Sequence, residues 1–136
     1  MTRDENDYIW SLHFDGASRG NPGPSSYGFV LQSTTNATIE DNQAIGETTN
    51  NCAEYEALIA GLERALDQGI TRLNVYGDSQ LIIKQVRGDW AVNDHKMQER
   101  HSTVKDLLKD FERVDFSHKP REANERADEL ANQALD

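Results

Sequence analysis

The chain has 136 residues, enough for one domain that buries about two-thirds of its unfolded surface without staples. The single cysteine, Cys52, excludes an internal disulfide framework, and the stretch Met1 to Asp7 holds no apolar run that could serve as a signal peptide or membrane span, so the expectation is a soluble, cytoplasmic protein. With 24 acids against 14 bases the net charge is −10, so a basic patch for a polyanionic partner cannot be assumed; the acidity reads either as a solvated surface or as carboxylates that hold cations.

Tyr8, Trp10, Leu12 and Phe14 alternate with Ile9, Ser11, His13 and Asp15, the period of a strand with one buried face that ends in an acid. Gly20, Pro22, Gly23 and Pro24 then read as a sharp turn closed to helix and ladder alike. Tyr27 to Gln32 reads as a second strand and Ala37 to Glu47 as a third, more polar and partly edge-exposed, in an antiparallel meander. The Asn36-Ala37-Thr38 glycosylation pattern is taken as accidental without a secretory signal. From Asn51 to Gln68 the period changes to that of an amphipathic helix, with Tyr55, Leu58, Ile59, Leu62, Ala65 and Leu66 on one face, Asn50 or Asn51 as N-cap and Gly69 as stop.

Thr71 to Tyr76 alternates again and leads into Asp78, so strand, helix and strand make a crossover with a parallel pair. Ser79 caps a short helix through Val86, and Asp89 to Asp94 forms a loop carrying Trp90. A longer helix is expected from His95 to Phe111, with Met97, His101, Val104, Leu108 and Phe111 on one face. Val114 and Phe116 mark a last short strand, ended by His118-Lys119-Pro120, and Ala123 to Leu135 is a terminal helix facing inward with Ala127, Leu130, Ala131 and Ala134. This order predicts an α/β fold, a mixed sheet with helices on its faces and a ligand site beyond the strand ends.

Asp15 and Asp78 both end strands, and as sheet neighbours they would sit side by side. Glu54 falls in the first turn of the first long helix, and Asp128 lies one position past inward-facing Ala127. Four acids from four elements suit a pair of hard divalent cations with oxygen ligands, the arrangement that serves phosphodiester hydrolysis. With 24 acids present, spacing alone does not select these four. Turn and N-cap duty for Asp15 and Asp78, and the helix dipole for Glu54, are the structural alternatives.

The blocks Asp15-Gly16-Ala17-Ser18-Arg19-Gly20-Asn21-Pro22-Gly23-Pro24, Thr48-Thr49-Asn50-Asn51-Cys52-Ala53-Glu54, Asp78-Ser79-Gln80-Leu81 and Asn124-Glu125-Arg126-Ala127-Asp128-Glu129-Leu130-Ala131 together resemble the motif set of type 1 ribonuclease H, in order and spacing. The resemblance runs from about Trp10 to Ala134. It implies the ribonuclease H-like fold, a mixed five-stranded sheet flanked by helices, with residues 1–136 as a single ribonuclease H domain. It also implies endonucleolytic cleavage of the RNA strand of an RNA–DNA hybrid with two Mg²⁺ or Mn²⁺ ions, leaving 5′-phosphate and 3′-hydroxyl ends. By matching position, Asp15, Glu54, Asp78 and Asp128 take the metal-binding catalytic roles. His118 matches a flexible-loop histidine that aids proton transfer or product release, a task its ordinary pKa suits; His13, His95 and His101 are assigned to sheet, surface and helix face.

Gly16, Ser18, Asn21, Asn50, Asn51 and Gln80 match positions that lie in the hybrid's minor groove, where the 2′-hydroxyl distinguishes RNA. Thr49 resembles a residue that holds a DNA-strand phosphate near a helix N-terminus. The chain departs from the family at Cys52, where arginine is frequent, and after Gln80, where Val86 to Lys96 is short and carries two bases in place of an inserted helix and basic loop. No separate hybrid-binding domain is expected before Tyr8. Trp90 reads either as a stacking surface along the DNA strand or as a hydrophobic cap on the core. Alternatives to hybrid cleavage are a related nuclease acting also on double-stranded RNA and a catalytically silent nucleic-acid-binding module; either way a monomer is expected.

Overall fold

Leu12 and Phe14 are fully buried while His13 between them is only half-buried, so the first strand shows the two-residue period of its sequence. The computed structural model describes residues 10–136, which places Tyr8 and Ile9 outside the described residues. Its elements are β1 (Trp10–Ser18), β2 (Gly23–Ser33), β3 (Thr38–Thr48), α1 (Asn50–Asp67), β4 (Arg72–Gly77), α2 (Gln80–Val86), α3 (His95–Leu108), β5 (Arg113–His118) and α4 (Glu125–Leu135). The five strands form one sheet in the order β3-β2-β1-β4-β5. β1, β2 and β3 pair antiparallel, whereas β4 runs parallel to β1 and β5 parallel to β4, which is the mixed sheet expected. Among the described residues no helix is long and apolar enough to cross a membrane.

One face of the sheet makes the main core. Leu12, Phe14, Phe29, Leu31 and Val75 pack with Leu58 and Leu62 of α1 and with Met97 and Val104 of α3, each fully buried aliphatic or aromatic side chain contributing about 1.5–3 kcal/mol. Between α1 and α2 the Tyr55 hydroxyl donates to Gln85 Oε1 at 2.6 Å, so the one polar end of a fully buried ring is satisfied. α4 lies on the opposite face over β2. Its approach is close because Gly28 has no side chain: a Cβ there would lie 2.6 Å from both the Ala127 carbonyl oxygen and the Ala131 nitrogen.

Several boundaries differ from the expected ones, each for a local reason. β1 continues past Asp15 to Ser18, and Gly23 and Pro24 open β2, opposite Thr48 and Glu47. The hairpin tolerates Pro24 because it supplies an acceptor there: the Arg19 N–H donates to the Pro24 carbonyl at 2.8 Å. The cap of α1 is Thr49, whose hydroxyl accepts from the Cys52 N–H at 3.2 Å, rather than Asn50 or Asn51. α3 ends at Leu108, yet a turn in which the Phe111 N–H donates to the Leu108 carbonyl still buries Phe111. A 3-10 turn over Arg121–Asn124 precedes α4, because buried Asn124 commits its Nδ2 to the Phe14 carbonyl, 2.9 Å away. Trp90 is 46% exposed, which removes its reading as a cap on the core.

Gly28→Ala is expected to lower stability by about 1–3 kcal/mol, because its methyl meets helix backbone. Gly61→Ala should cost less, since there the neighbour is the rotatable end of Leu12. Thermal unfolding of the two variants checks the order; equal losses would contradict it.

Candidate active site

Pairing β1 with β4 places Phe14 opposite Gly77, so the next residue on each strand brings Asp15 and Asp78 together at the same end of the sheet. α1 delivers the third acid. Its first turns rest directly on β1 at Gly16, where a Cβ would fall 2.3 Å from the Ala53 carbonyl carbon and 2.4 Å from the Glu54 nitrogen. Asp15, Glu54 and Asp78 therefore each offer a carboxylate oxygen, all within 4.8 Å of one another. Asp128, from α4, stands within hydrogen-bonding reach of Asp15 but outside that group of three. Its Oδ1 accepts from Asn132 Nδ2 at 3.2 Å and faces Arg121 at 3.7 Å.

The structural alternatives for the first three acids fail. Asp15 is within a strand, Ser79 rather than Asp78 caps α2 with its hydroxyl, and Glu54 falls in the second turn of α1, beyond the helix-terminal charge effect. Asp128 does lie in the first turn of α4.

Burial first, then the charges of Glu54 and Asp78, push the Asp15 carboxyl far above the usual carboxylate range. Glu54 is also pushed up, chiefly by burial and next by Asp78, against the opposing effect of a hydrogen bond from the Gly16 N–H. Its Oε1 is buried with no hydrogen-bond partner among the described residues. An orphaned buried carboxylate oxygen beside two further carboxylates fits a hard divalent cation with oxygen ligands. The acids open onto a cavity of about 440 Å³ that Ser18, Asn50, Asn132 and Arg121 also line.

The chain matches the Reverse transcriptase-like family over residues 13–134. The crystal structure of RNase H1 from the halophilic archaeon Halobacterium salinarum superposes with a TM-score of 0.90 at 47% identity, covering 93% of this chain and 96% of that one. The chain belongs to the type 1 ribonuclease H family. LC11-RNase H1, solved in complex with an RNA/DNA hybrid, is 38% identical with a TM-score of 0.88 over 93% of this chain and 96% of that one. The curated Ribonuclease HI of H. salinarum is 49% identical over 125 residues, which are 91% of this chain and 63% of that protein. A bifunctional protein of Mycobacterium tuberculosis is 43% identical over 92% of this chain and 35% of its own length. The chain thus spans from about a third to just under two-thirds of these curated relatives.

Within this ribonuclease H fold, the other residues singled out from sequence fall into two groups. Gly16, Ser18 and Asn50 line the cavity. Asn21 and Thr49 shape it from behind: Asn21 Oδ1 accepts from the Asn50 N–H at 3.0 Å, and Thr49 is the helix cap. Gln80 is exposed at the start of α2, Trp90 is exposed beyond its end, and half-buried Asn51 follows Asn50 on α1; none of these three lines the cavity. Buried Cys52 packs in the core. His118 is the last residue of β5, paired with Gly77, and not part of a loop; its Nε2 lies 3.2 Å from the Asp78 carbonyl oxygen at the rim of the site. Arg121, Asn132 and Asn124 escape a reading of the sequence. Arg121 is legible as the one base between His118 and Asn124 besides Lys119, whereas the roles of the other two depend on where α4 docks.

Because a raised carboxyl pKa means that the folded protein holds a proton the unfolded chain has released, this contribution to stability is complete below the ordinary carboxylate range and is lost as pH rises through the folded values. Asp15→Asn removes the effect while keeping the shape. The variant, free of metal, is expected to melt above the parent, with a gap that widens between about pH 5 and about pH 8 and exceeds about 1 kcal/mol at the upper end. Adding Mg²⁺ should raise the melting temperature of the parent and leave the variant unmoved. A gap that narrows with rising pH would contradict the assignment of strain to these acids.

Proposed function

We propose that the chain is a ribonuclease H domain that hydrolyses the RNA strand of RNA–DNA hybrids as an endonuclease, with two Mg²⁺ or Mn²⁺ ions, leaving 5′-phosphate and 3′-hydroxyl ends. The observation that carries this reading is the set of three carboxylates from β1, α1 and the end of β4, gathered within 4.8 Å around a buried oxygen that has no partner among the described residues. Asp15, Glu54, Asp78 and neighbouring Asp128 would hold the ions. When bound, such ions supply an activated water and neutralise charge developing on a phosphodiester.

The chain's own residues supply the rest. Nε2 of His118 donates to the Asp78 carbonyl, which leaves Nδ1 as the ring nitrogen that would exchange a proton with the substrate. Arg121, a cation lining the cavity, would face a phosphate of the substrate in a chain whose net charge of −10 otherwise repels one. Ser18, Asn50 and Asn132 line the cavity as small polar groups suited to a sugar edge with its 2′-hydroxyl. Gly16, Asn21, Thr49, Asn51 and Gln80 extend this surface toward the minor groove and the DNA-strand phosphate. Trp90, exposed past α2, offers a ring for stacking along the DNA strand. The likeness to LC11-RNase H1, solved with an RNA/DNA hybrid, supports the choice of substrate.

A labelled RNA–DNA hybrid, double-stranded RNA and double-stranded DNA, each incubated with Mg²⁺, Mn²⁺ or chelator, tests the reading. Cleavage is expected in the hybrid's RNA strand alone and only with a divalent ion. Asp15→Asn should lower the rate by at least about a hundredfold, while His118→Ala should slow it by about ten- to a hundredfold without abolishing it. Chelator-resistant cleavage, or full activity in Asp15→Asn, would overturn the metal-dependent mechanism, and cutting of double-stranded RNA would widen the substrate.

A further inference from the structure

His118 ends β5, and the ladder runs one bond past it before it stops. The Lys119 N–H donates to the Gly77 carbonyl at 2.9 Å, and this is the last rung, because Pro120 has no N–H to offer. Among the described residues the His118 ring makes one hydrogen bond, to a backbone carbonyl, and it is exposed. A side chain held so lightly at a strand end takes its orientation from the backbone beside it, and strand ends of this kind fray.

Lys119 is gripped by more than its backbone. Its Nζ stands 3.9 Å from the centroid of the Tyr76 ring, and that ring lies 5.0 Å from the ring of His13 at an interplanar angle of 31°. Ammonium over an aromatic face is attractive, most so where water is partly excluded. Burial, and then the nearby Lys119 charge, hold the pKa of His13 below its ordinary value. His13 and Tyr76 are register partners in the parallel β1–β4 pair. Each stands two residues before an acid of the site, Asp15 and Asp78, on the same strand or its immediate continuation, and residues two apart share a face. The stack is therefore fixed to the two strands that carry the carboxylates.

We infer that Tyr76 and Lys119, seated on His13, are positioning residues that hold His118 against the carboxylate cluster. The inference rests on the ribonuclease H reading above, in which His118 handles a proton. Losing the ammonium–ring contact releases the last rung, and His118 then samples orientations that no longer face the site.

The test combines kinetics on an RNA–DNA hybrid with ring ¹H–¹³C NMR signals of the histidines in the metal-free protein, His118 being identified by its loss in His118→Ala. Tyr76→Leu and Lys119→Met are expected to lower kcat about two- to fivefold with KM unchanged, and to move the His118 signal toward its unfolded position. Tyr76→Phe and Lys119→Arg, which keep ring and charge, should restore both. In the His118→Ala background, Tyr76→Leu should cost nothing further. Unmoved signals of His95 and His101 report an intact fold, and the surface change Lys119→Met carries the test should Tyr76→Leu disturb them. An unmoved His118 signal, or an equal loss of kcat in both backgrounds, overturns the inference. Parent protein that leaves the hybrid intact overturns the ribonuclease H reading instead, and the NMR arm then decides the positioning by itself.

Discussion

The carboxylate site depends on a missing methyl group. α1 can bring Glu54 to Asp15 only because its backbone touches β1 at Gly16, where any Cβ would sit inside the Ala53–Glu54 peptide. The same contact lets the Gly16 N–H reach the Glu54 carboxylate, which lowers its pKa against strong burial. By resemblance, Gly16 is a minor-groove contact. It does line the cavity, but helix packing alone already forbids a side chain there.

What this contact assembles works against the folded state. Two acids are driven upward in pKa, a carboxylate oxygen is buried without a partner among the described residues, and Asp128 adds a further negative group beside Asp15. A solvated acidic surface explains many of the 24 acids, and ion pairs such as Arg126 with Glu40 explain some, but neither applies to Asp15, which is 4% exposed. Proteins tolerate such arrangements where function needs them and compensate elsewhere, here in a continuous core built on Phe14, Phe29, Tyr55 and Leu58.

Most of the architecture is legible in the sequence because its signals are local. The alternation around Leu12 and Phe14, the stripe from Tyr55 to Leu66 and the crossover into Val75 are each short-range patterns, and the mixed sheet arises from their order. The misreadings share a cause. Thr49, Asn50 and Asn51 are all good caps, so the choice of Thr49 depends on where α1 meets β1. Glu54 shifts from first to second turn as a result. Pro24 joins a strand because its carbonyl meets Arg19, and Asn124 ends a 3-10 turn because Phe14, 110 residues away, presents a carbonyl. For the site, family resemblance names the acids, since no local pattern distinguishes four of 24; what the fold adds is that three of them share one point while Asp128 stands beside it.

The sheet's strand order explains why chemistry collects where it does. In the order β3-β2-β1-β4-β5, the chain leaves β1 toward one side of the sheet and returns to β4 on the other, so the space beyond the carboxyl ends of β1 and β4 is left uncovered by connections. Asp15, Asp78 and His118 come from three adjacent parallel strands at that end, one from each of β1, the residue after β4 and β5. Parallel register makes their spacing a property of the ladder and leaves side-chain choice open one step behind it, where His13 and Tyr76 stand. The helices then specialise by face: α1 reaches the opening from the core side through Gly16, and α4 from the other side through Gly28. Two glycines on neighbouring antiparallel strands, one per face, thus allow the end of the sheet to become a pocket with walls on both sides.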